Sequence, residues 1–128
     1  MTASSAWGPA QDVAYHLERA ITKEVSAMLL VGGDLVPQAR AVLREAGDWV
    51  QMAHKGVEAM AVKGKKRLAS KAEVLKQLKA AERKGIDAAK LLFQEKIAAK
   101  DVAAICASVS DAIARELDAL QALLALRE

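Results

Sequence analysis

The chain has 128 residues and a mass of 13.6 kDa, which is the size of one domain and too small for two independent cores. Hydrophobic residues make up 53% and charged residues 27% of the sequence, so a disordered chain is excluded. Alanine accounts for 28 residues and aromatic residues for only 3%, a composition that favours helix. We therefore predict one helical domain over residues 1–128, with residues 1–8 as a flexible tail.

The sequence offers few residues for metal or redox chemistry. Cys106 is the only cysteine, and His16 and His54 are the only histidines. This set allows no intramolecular disulfide and is too small for a structural zinc site, so we expect no metal, no cofactor and a reducing, cytoplasmic setting. The N-terminus lacks the features of a secretion signal, and the apolar run at 26–31 is too short to span a bilayer. No membrane association is expected.

Apolar residues recur at helical spacing, and no strand is predicted. Gly8 and Pro9 can start a first helix over 9–31, whose stripe contains Val13, Leu17, Ile21, Val25 and Leu29. Gly32 and Gly33 can end it in the left-handed conformation. Pro37 starts a second helix, predicted over 37–62, in which Gly47 and Gly56 each cost about 1 kcal/mol relative to alanine.

The second half of the chain predicts two more helices. Ser70 and Glu73 form a capping-box pattern that opens a third helix over about 71–84, which Gly85 closes. A long fourth helix is predicted over about 87–127, with a break near 98–101, capped by Asp101, as the alternative. The predicted fold is an all-α, slim antiparallel bundle of four helices. The residues expected in its core include Leu17, Val25, Val50, Val57, Val109, Ile113 and Leu120.

Enzyme activity is not expected. Glu24 and Glu116 point toward apolar stripes and could form the paired carboxylates of acid–base catalysis, but salt bridges at the stripe edges are the favoured interpretation. No phosphate-binding, hydrolase or metalloprotease motif is present. Few polar residues converge on the stripes, which argues against a small-molecule site between the helices.

Positive charge is concentrated in one segment. Residues 63–100 carry twelve Lys and Arg against four Asp and Glu, whereas the flanking parts of the chain are mildly acidic. Such asymmetry indicates an anionic partner or pairing between oppositely charged faces. The cations expected to contact nucleic-acid phosphates are Lys63, Lys65, Lys66, Arg67, Lys71, Lys76, Lys79, Arg83 and Lys84. A partial match to a helix-turn-helix around Gly85 is weakened by Lys84, which stands at a normally apolar position.

The best interpretation is a non-enzymatic subunit or accessory factor that holds a nucleic-acid backbone without sequence preference, for example within a larger ribonucleoprotein complex. The alternative is a protein-interaction module, such as a helical chaperone, an adaptor, or a virion or secretion-apparatus component, without nucleic-acid binding. Apolar residues on two sides of the predicted fourth helix over 88–99, together with the leucines that wrap its last turns, predict a homo-oligomer or a protein partner. The expected interface residues are Phe93, Ile97, Leu123 and Leu126.

Overall fold

A computed structural model describes residues 8–126 and confirms the all-α, four-helix bundle. Short loops join the helices, so that successive helices run in opposite directions. The most extensive contacts join α1 to α2 and α3 to α4, and α2–α3 and α1–α4 contacts close the bundle. The helices are α1 (Pro9–Gly32), α2 (Val36–Ala59), α3 (Lys65–Leu92) and α4 (Ala99–Leu123), and a 3-10 turn over Leu124–Leu126 follows α4.

The first two helices match the predicted ones to within three residues at each end. Pro9 and Pro37 lie in the first turns of α1 and α2, where the missing N–H removes no helical hydrogen bond. The left-handed residue in the α1–α2 loop is Asp34, with φ of 62°, and not Gly32 or Gly33. The predicted tail at 1–8 and the predicted end of the last helix at 127 fall almost entirely outside the described residues.

The third helix is twice as long as predicted. It starts after Gly64, whose φ of 94° suits glycine, and it continues through Gly85 to Leu92. A glycine in a helix interior costs only about 1 kcal/mol, and Ala88 and Leu92 beyond it are buried in the core. This continuity also excludes the helix-turn-helix, because Gly85 makes no turn.

The favoured continuous helix over 87–127 is wrong, and the alternative with a break is correct. Residues 93–98 form the α3–α4 loop, and α4 begins at Ala99. The Asp101 carboxylate accepts a hydrogen bond of 2.9 Å from the Ala98 backbone N–H. Asp101 therefore caps α4 from inside its first turn.

Buried positions follow a strict 3-4 alternation in α1, α2 and α4. In α1 they are Ala10, Val13, Leu17, Ala20, Glu24, Ala27 and Val31, and α4 shows the same pattern from Ile105 to Leu126. This period of 3.5 residues is typical of left-handed, coiled-coil-like packing. The predicted stripe of Val13, Leu17, Ile21, Val25 and Leu29 steps by four residues, which turns it about 40° around the helix at each step. Val25 is therefore 41% exposed, and Glu24, four residues after Ala20 in the 3-4 alternation, takes the buried position. Ile113 and Leu120, also predicted in the core, are half-buried at its edge.

The core consists of two apolar clusters, one at each end of the bundle. Leu17, Val57, Leu78 and Leu123 belong to the first cluster, and the second is built around Val31, Leu43, Leu92 and Ile105. The layer between them, which we call the middle layer, belongs to neither cluster and is made mostly of small side chains. Its members are Ala20, Glu24, Ala46, Val50, Ala81, Ala112 and Glu116.

Candidate functional site

The outer face of α3 carries a line of cations, which we call the α3 cationic stripe. Lys65, Lys76, Lys79, Arg83 and Lys90 lie within about 60° of one another at 100° per residue, opposite the buried face of the helix. All five side chains are exposed, and none forms an ion pair with a residue of the described chain. The stripe is about 38 Å long at 1.5 Å per residue.

Three of the cations predicted to contact phosphate have structural partners instead. Arg67 donates a hydrogen bond of 2.7 Å to the Leu126 carbonyl. Lys71 donates to the carbonyls of Met60, at 2.8 Å, and Glu58, at 3.1 Å, and thereby satisfies the C-terminal end of α2.

The third is Lys84, whose Nζ lies 3.6 Å from the Asp111 carboxylate on α4. Lys63 and Lys66 are exposed near the start of α3. The structure therefore brings together four of the nine predicted phosphate contacts, Lys65, Lys76, Lys79 and Arg83, on one face of α3, whereas Lys66 lies about 100° around the helix from Lys65. Lys90 also lies on that face. The predicted third helix ended at residue 84 and so did not include Lys90.

The stripe borders a groove of about 460 Å³ between α2 and α3. Lys76, Lys79 and Arg83 line one wall, and His54 and Glu58 contribute to the other. The His54 Nδ1 atom lies 2.6 Å from a carboxylate oxygen of Glu82, and its Nε2 atom lies 3.5 Å from Glu58. His54 thus cross-links α2 and α3 behind the stripe.

The predicted protein-interface residues do not form one surface. Leu123 and Leu126 are fully buried, because the 3-4 alternation points them into the first apolar cluster, so a partner cannot reach them. Ile97 is half-buried against the second cluster. Phe93 is 45% exposed, and the guanidinium groups of Arg40 and Arg44 lie 5.5 and 5.6 Å from its ring centre.

Arg40 also fixes the α3–α4 loop. Its guanidinium donates hydrogen bonds of 2.9 Å to the carbonyls of Leu92 and Gln94. These carbonyls lie at the C-terminal end of α3, where the helix leaves acceptors without intrahelical donors. The cation therefore ties α2 to the end of α3 and holds Phe93 in place.

Glu24 and Glu116 are not the edge salt bridges that we expected. Their exposed fractions are 3% and 0%, and no cation of the described chain pairs with either. Glu24 Oε1 and both carboxyl oxygens of Glu116 are buried and accept no hydrogen bond from an N–H or hydroxyl group of the described chain, so the partner left to each carboxyl group is the other one, through a shared proton. Buried Gln77, by contrast, donates to Glu73 at 2.6 Å and accepts from Arg115 at 3.4 Å.

Burial disfavours the charged form of each carboxyl group. It raises the pKa of Glu24 from 4.5 to about 7. For Glu116, burial and the neighbouring Glu24 carboxyl together raise the pKa to about 11. At neutral pH the pair therefore holds at least one proton. The 3-4 alternation, had it been recognised in the sequence, places both residues in the core.

A second cavity, the α2–α3 cavity, has a volume of about 410 Å³ and reaches Glu24 from the outside of the bundle. The sequence argued against such a site, because few polar residues converge on the apolar stripes. Glu24, which was expected to form a salt bridge at the edge of an apolar stripe, lies instead buried at the inner end of this cavity. The cavity is lined by Glu24, Leu43, Arg44, Ala46, Gly47, Val50, Gln51, Ala81, Glu82, Gly85, Ile86, Ala89 and Phe93.

Other chemistry finds little support within residues 8–126. No group of three or more His, Cys, Asp or Glu side chains in this range is arranged to hold a metal ion. Cys106 is a half-buried free thiol. Not one of the described helices has the length and apolar content needed to cross a membrane.

Comparison of the chain with protein-family models, with curated proteins and with solved structures finds no match. The features of the molecule that bear on its function are the α3 cationic stripe and the middle layer.

Proposed function

We propose that the protein is a non-enzymatic accessory factor that binds a nucleic-acid backbone through the α3 cationic stripe. The observation that carries the proposal is the alignment of five exposed cations, without ion-pair partners in the described chain, along a single helix face. Residues 65–92 hold nine Lys and Arg against three Asp and Glu. A polyanion with regularly spaced charges is the partner that such a line of cations neutralises best.

The length of the stripe supports the same partner. Its span of about 38 Å is close to one turn of B-form duplex, roughly 34–36 Å. Lys76, Lys79 and Arg83 form its centre, and Lys65 and Lys90 lie near its ends. No aromatic residue lies between these cations, so base stacking does not contribute and binding is expected to tolerate any sequence.

The salt dependence of binding tests this proposal. With four or five phosphates neutralised, the logarithm of the association constant falls linearly with the logarithm of the salt concentration. The expected slope is about −4 for a duplex and about −3 for a single strand. Fluorescence anisotropy of a labelled 20-mer measures both slopes. Replacing Lys76, Lys79 and Arg83 together by Gln removes most of the affinity at low salt and flattens the slope.

The matched control replaces Lys55, Lys96 and Lys100 by Gln. These residues are exposed and lie off the stripe, and the change in net charge is the same. Arg67 and Lys71 are left intact because their hydrogen bonds hold the ends of helices. Absence of binding at low salt, or equal loss in both triple variants, contradicts the proposal.

The second candidate is a protein-interaction module that forms a homo-oligomer or binds a protein partner. Exposed apolar side chains favour it, above all Leu29, which is 73% exposed one helical turn from Val25. Leu35, in the adjoining loop, is also exposed. Light scattering of the wild type and of Leu29→Glu tests this candidate, since a monomer at all concentrations excludes the homo-oligomer. A ribonucleoprotein complex and a cytoplasmic location stay predictions from the sequence.

A further inference from the structure

The α2–α3 cavity exists because small residues face each other where α2 and α3 pass the middle layer. Ala46 and Gly47 lie on one side, and Ala81, Gly85 and Ala89 lie on the other. A Cβ atom added at Gly47 or Gly85 would meet no neighbouring atom within 4 Å, so this space is open. Its volume of about 410 Å³ falls within the roughly 300–1,000 Å³ of small-molecule sites.

The inner end of the cavity carries a buried carboxyl group whose hydrogen-bond partner is a second carboxyl group. Glu24 lines the cavity, yet it is 97% buried and its Oε1 atom accepts no hydrogen bond from the described residues. Glu116 lies behind it, and the one proton that the two carboxyl groups share leaves most of their oxygens without a donor. A buried acceptor without a donor is costly, and a bound molecule that supplies N–H donors removes this cost.

We propose that the α2–α3 cavity binds an amphipathic organic ammonium ion, whose apolar body lies between α2 and α3 and whose N–H groups donate to the Glu24 carboxylate. The apolar walls are formed by Leu43, Val50, Ile86 and Phe93. A cation is the appropriate head group because a carboxylate offers only acceptors. This site is separate from the α3 cationic stripe and does not depend on the proposed function.

Charged and titratable groups line the cavity from α1, α2 and α3, and one from α4 lies behind them. Glu24 comes from α1, Arg44 from α2 and Glu82 from α3, with Glu116 of α4 behind Glu24. Glu82 is bound to His54 at 2.6 Å, and Arg44 lies over the Phe93 ring, so both have partners at the mouth. Because burial raises the pKa of Glu24 to about 7, an ammonium ion that binds its ionised form releases up to one proton near neutral pH.

Three probes of matched shape test the proposal at pH 7.5: 4-phenylbutylamine, 4-phenylbutan-1-ol and 4-phenylbutyrate. Chemical shifts of backbone amides report binding to the whole protein. We expect the amine to bind with a Kd on the order of 1 mM or tighter, as its size allows. The alcohol is expected to bind at least about tenfold more weakly and the carboxylate not at all, since an anion meets unpaired carboxyl groups.

Two kinds of variant separate the head-group site from the apolar cavity. Glu24→Gln is expected to remove the preference for the amine over the alcohol. Gly85→Leu fills the cavity and is expected to abolish binding of both, whereas Ala69→Leu, an exposed change on the same helix, leaves binding unchanged. Gly47→Leu fills the cavity from α2 and replaces Gly85→Leu if circular dichroism shows that the latter does not fold.

Several results would overturn the proposal. Equal affinity for the amine and the alcohol shows that no carboxylate recognises the head group. Loss of the amine preference in Glu82→Gln, with retention in Glu24→Gln, places the head group at the mouth instead. Unchanged binding in a folded cavity-filling variant, or no shift with any probe, excludes the cavity as the site.

Discussion

Glu24 of α1 and Glu116 of α4 face each other in the middle layer of the bundle, and neither has a compensating cation in the described chain. Two carboxyl groups occupy positions that the 3-4 alternation reserves for apolar side chains. Desolvation of both groups makes their ionisation costly. The pair therefore links the stability of the bundle to pH.

The first prediction concerns that pH dependence. Both pKa values are raised above the unfolded value of 4.5, so the folded chain binds more protons than the unfolded chain. The stabilising contribution of the protonated pair is fully present below pH 4.5. It is lost as the pH rises, through about 7 for Glu24 and toward about 11 for Glu116. Each carboxyl contributes a slope of about 1.4 kcal/mol per pH unit.

Urea denaturation between pH 5 and pH 8 measures this effect as a difference between two proteins. The double variant Glu24→Gln with Glu116→Gln cannot ionise at these positions, so its free energy of unfolding is expected to fall less steeply with pH than that of the wild type. Parallel pH profiles of the two proteins would show that the pair does not titrate in this range.

The second prediction compares two glycines inside helices. A Cβ atom added at Gly56 would lie 2.9 Å from Cγ2 of Val13, a stiff and buried side chain, so Gly56→Ala forces α1 and α2 apart. We expect a loss of about 1–3 kcal/mol. Gly85→Ala meets no atom and is expected to raise the free energy of unfolding by about 0.5–1 kcal/mol. Chemical denaturation measures the free energy of unfolding of both variants. A lower value for Gly56→Ala with a higher value for Gly85→Ala confirms the close α1–α2 contact, and a higher value for both contradicts it.

The third prediction separates structural cations from free ones. Lys71→Gln removes two hydrogen bonds from the ammonium to carbonyls at the end of α2, and we expect it to lower the free energy of unfolding by about 1–2 kcal/mol. Lys76→Gln, one turn further along α3, removes no contact of the described chain and is expected to change stability by less than about 0.5 kcal/mol. Equal losses of stability in the two variants, measured by thermal denaturation, would contradict the assignment of Lys71 as a structural cation and Lys76 as a free one.

The fourth prediction concerns adjacent leucines at the end of α4. Leu123 is fully buried and Leu124 is exposed, although both belong to the same leucine-rich segment. Leu123→Ala is expected to cost about 2–5 kcal/mol through cavity formation. Leu124→Ala is expected to cost less than about 1 kcal/mol. A reversal of the two values, measured by denaturant unfolding, would show that the register of α4 is shifted by one residue.

The sequence predicts the start of a helix wherever a single residue restricts the backbone conformation. Pro9 and Pro37 marked the starts of α1 and α2 because proline fixes φ and suits the first helical turn. The breaks inside the basic segment were harder to predict. Gly85 looked like a helix end, but burial of Ala88 and Leu92 offsets its modest cost. The sequence shows which segment holds the cations, but it does not show that Arg67 pairs with the Leu126 carbonyl, because the two residues are distant in sequence.

Composition and the spacing of apolar residues determined by themselves that this chain forms an all-α bundle, since alanine-rich amphipathic segments can bury their apolar stripes only against other helices. The tertiary structure alone decided which residues share a layer. Packing keeps the buried face on alternating steps of three and four residues, whereas the predicted stripe of α1 steps by four, so Val25 lies outside and Glu24 inside. Packing between distant segments then placed Glu24 beside Glu116 and opened the α2–α3 cavity to it.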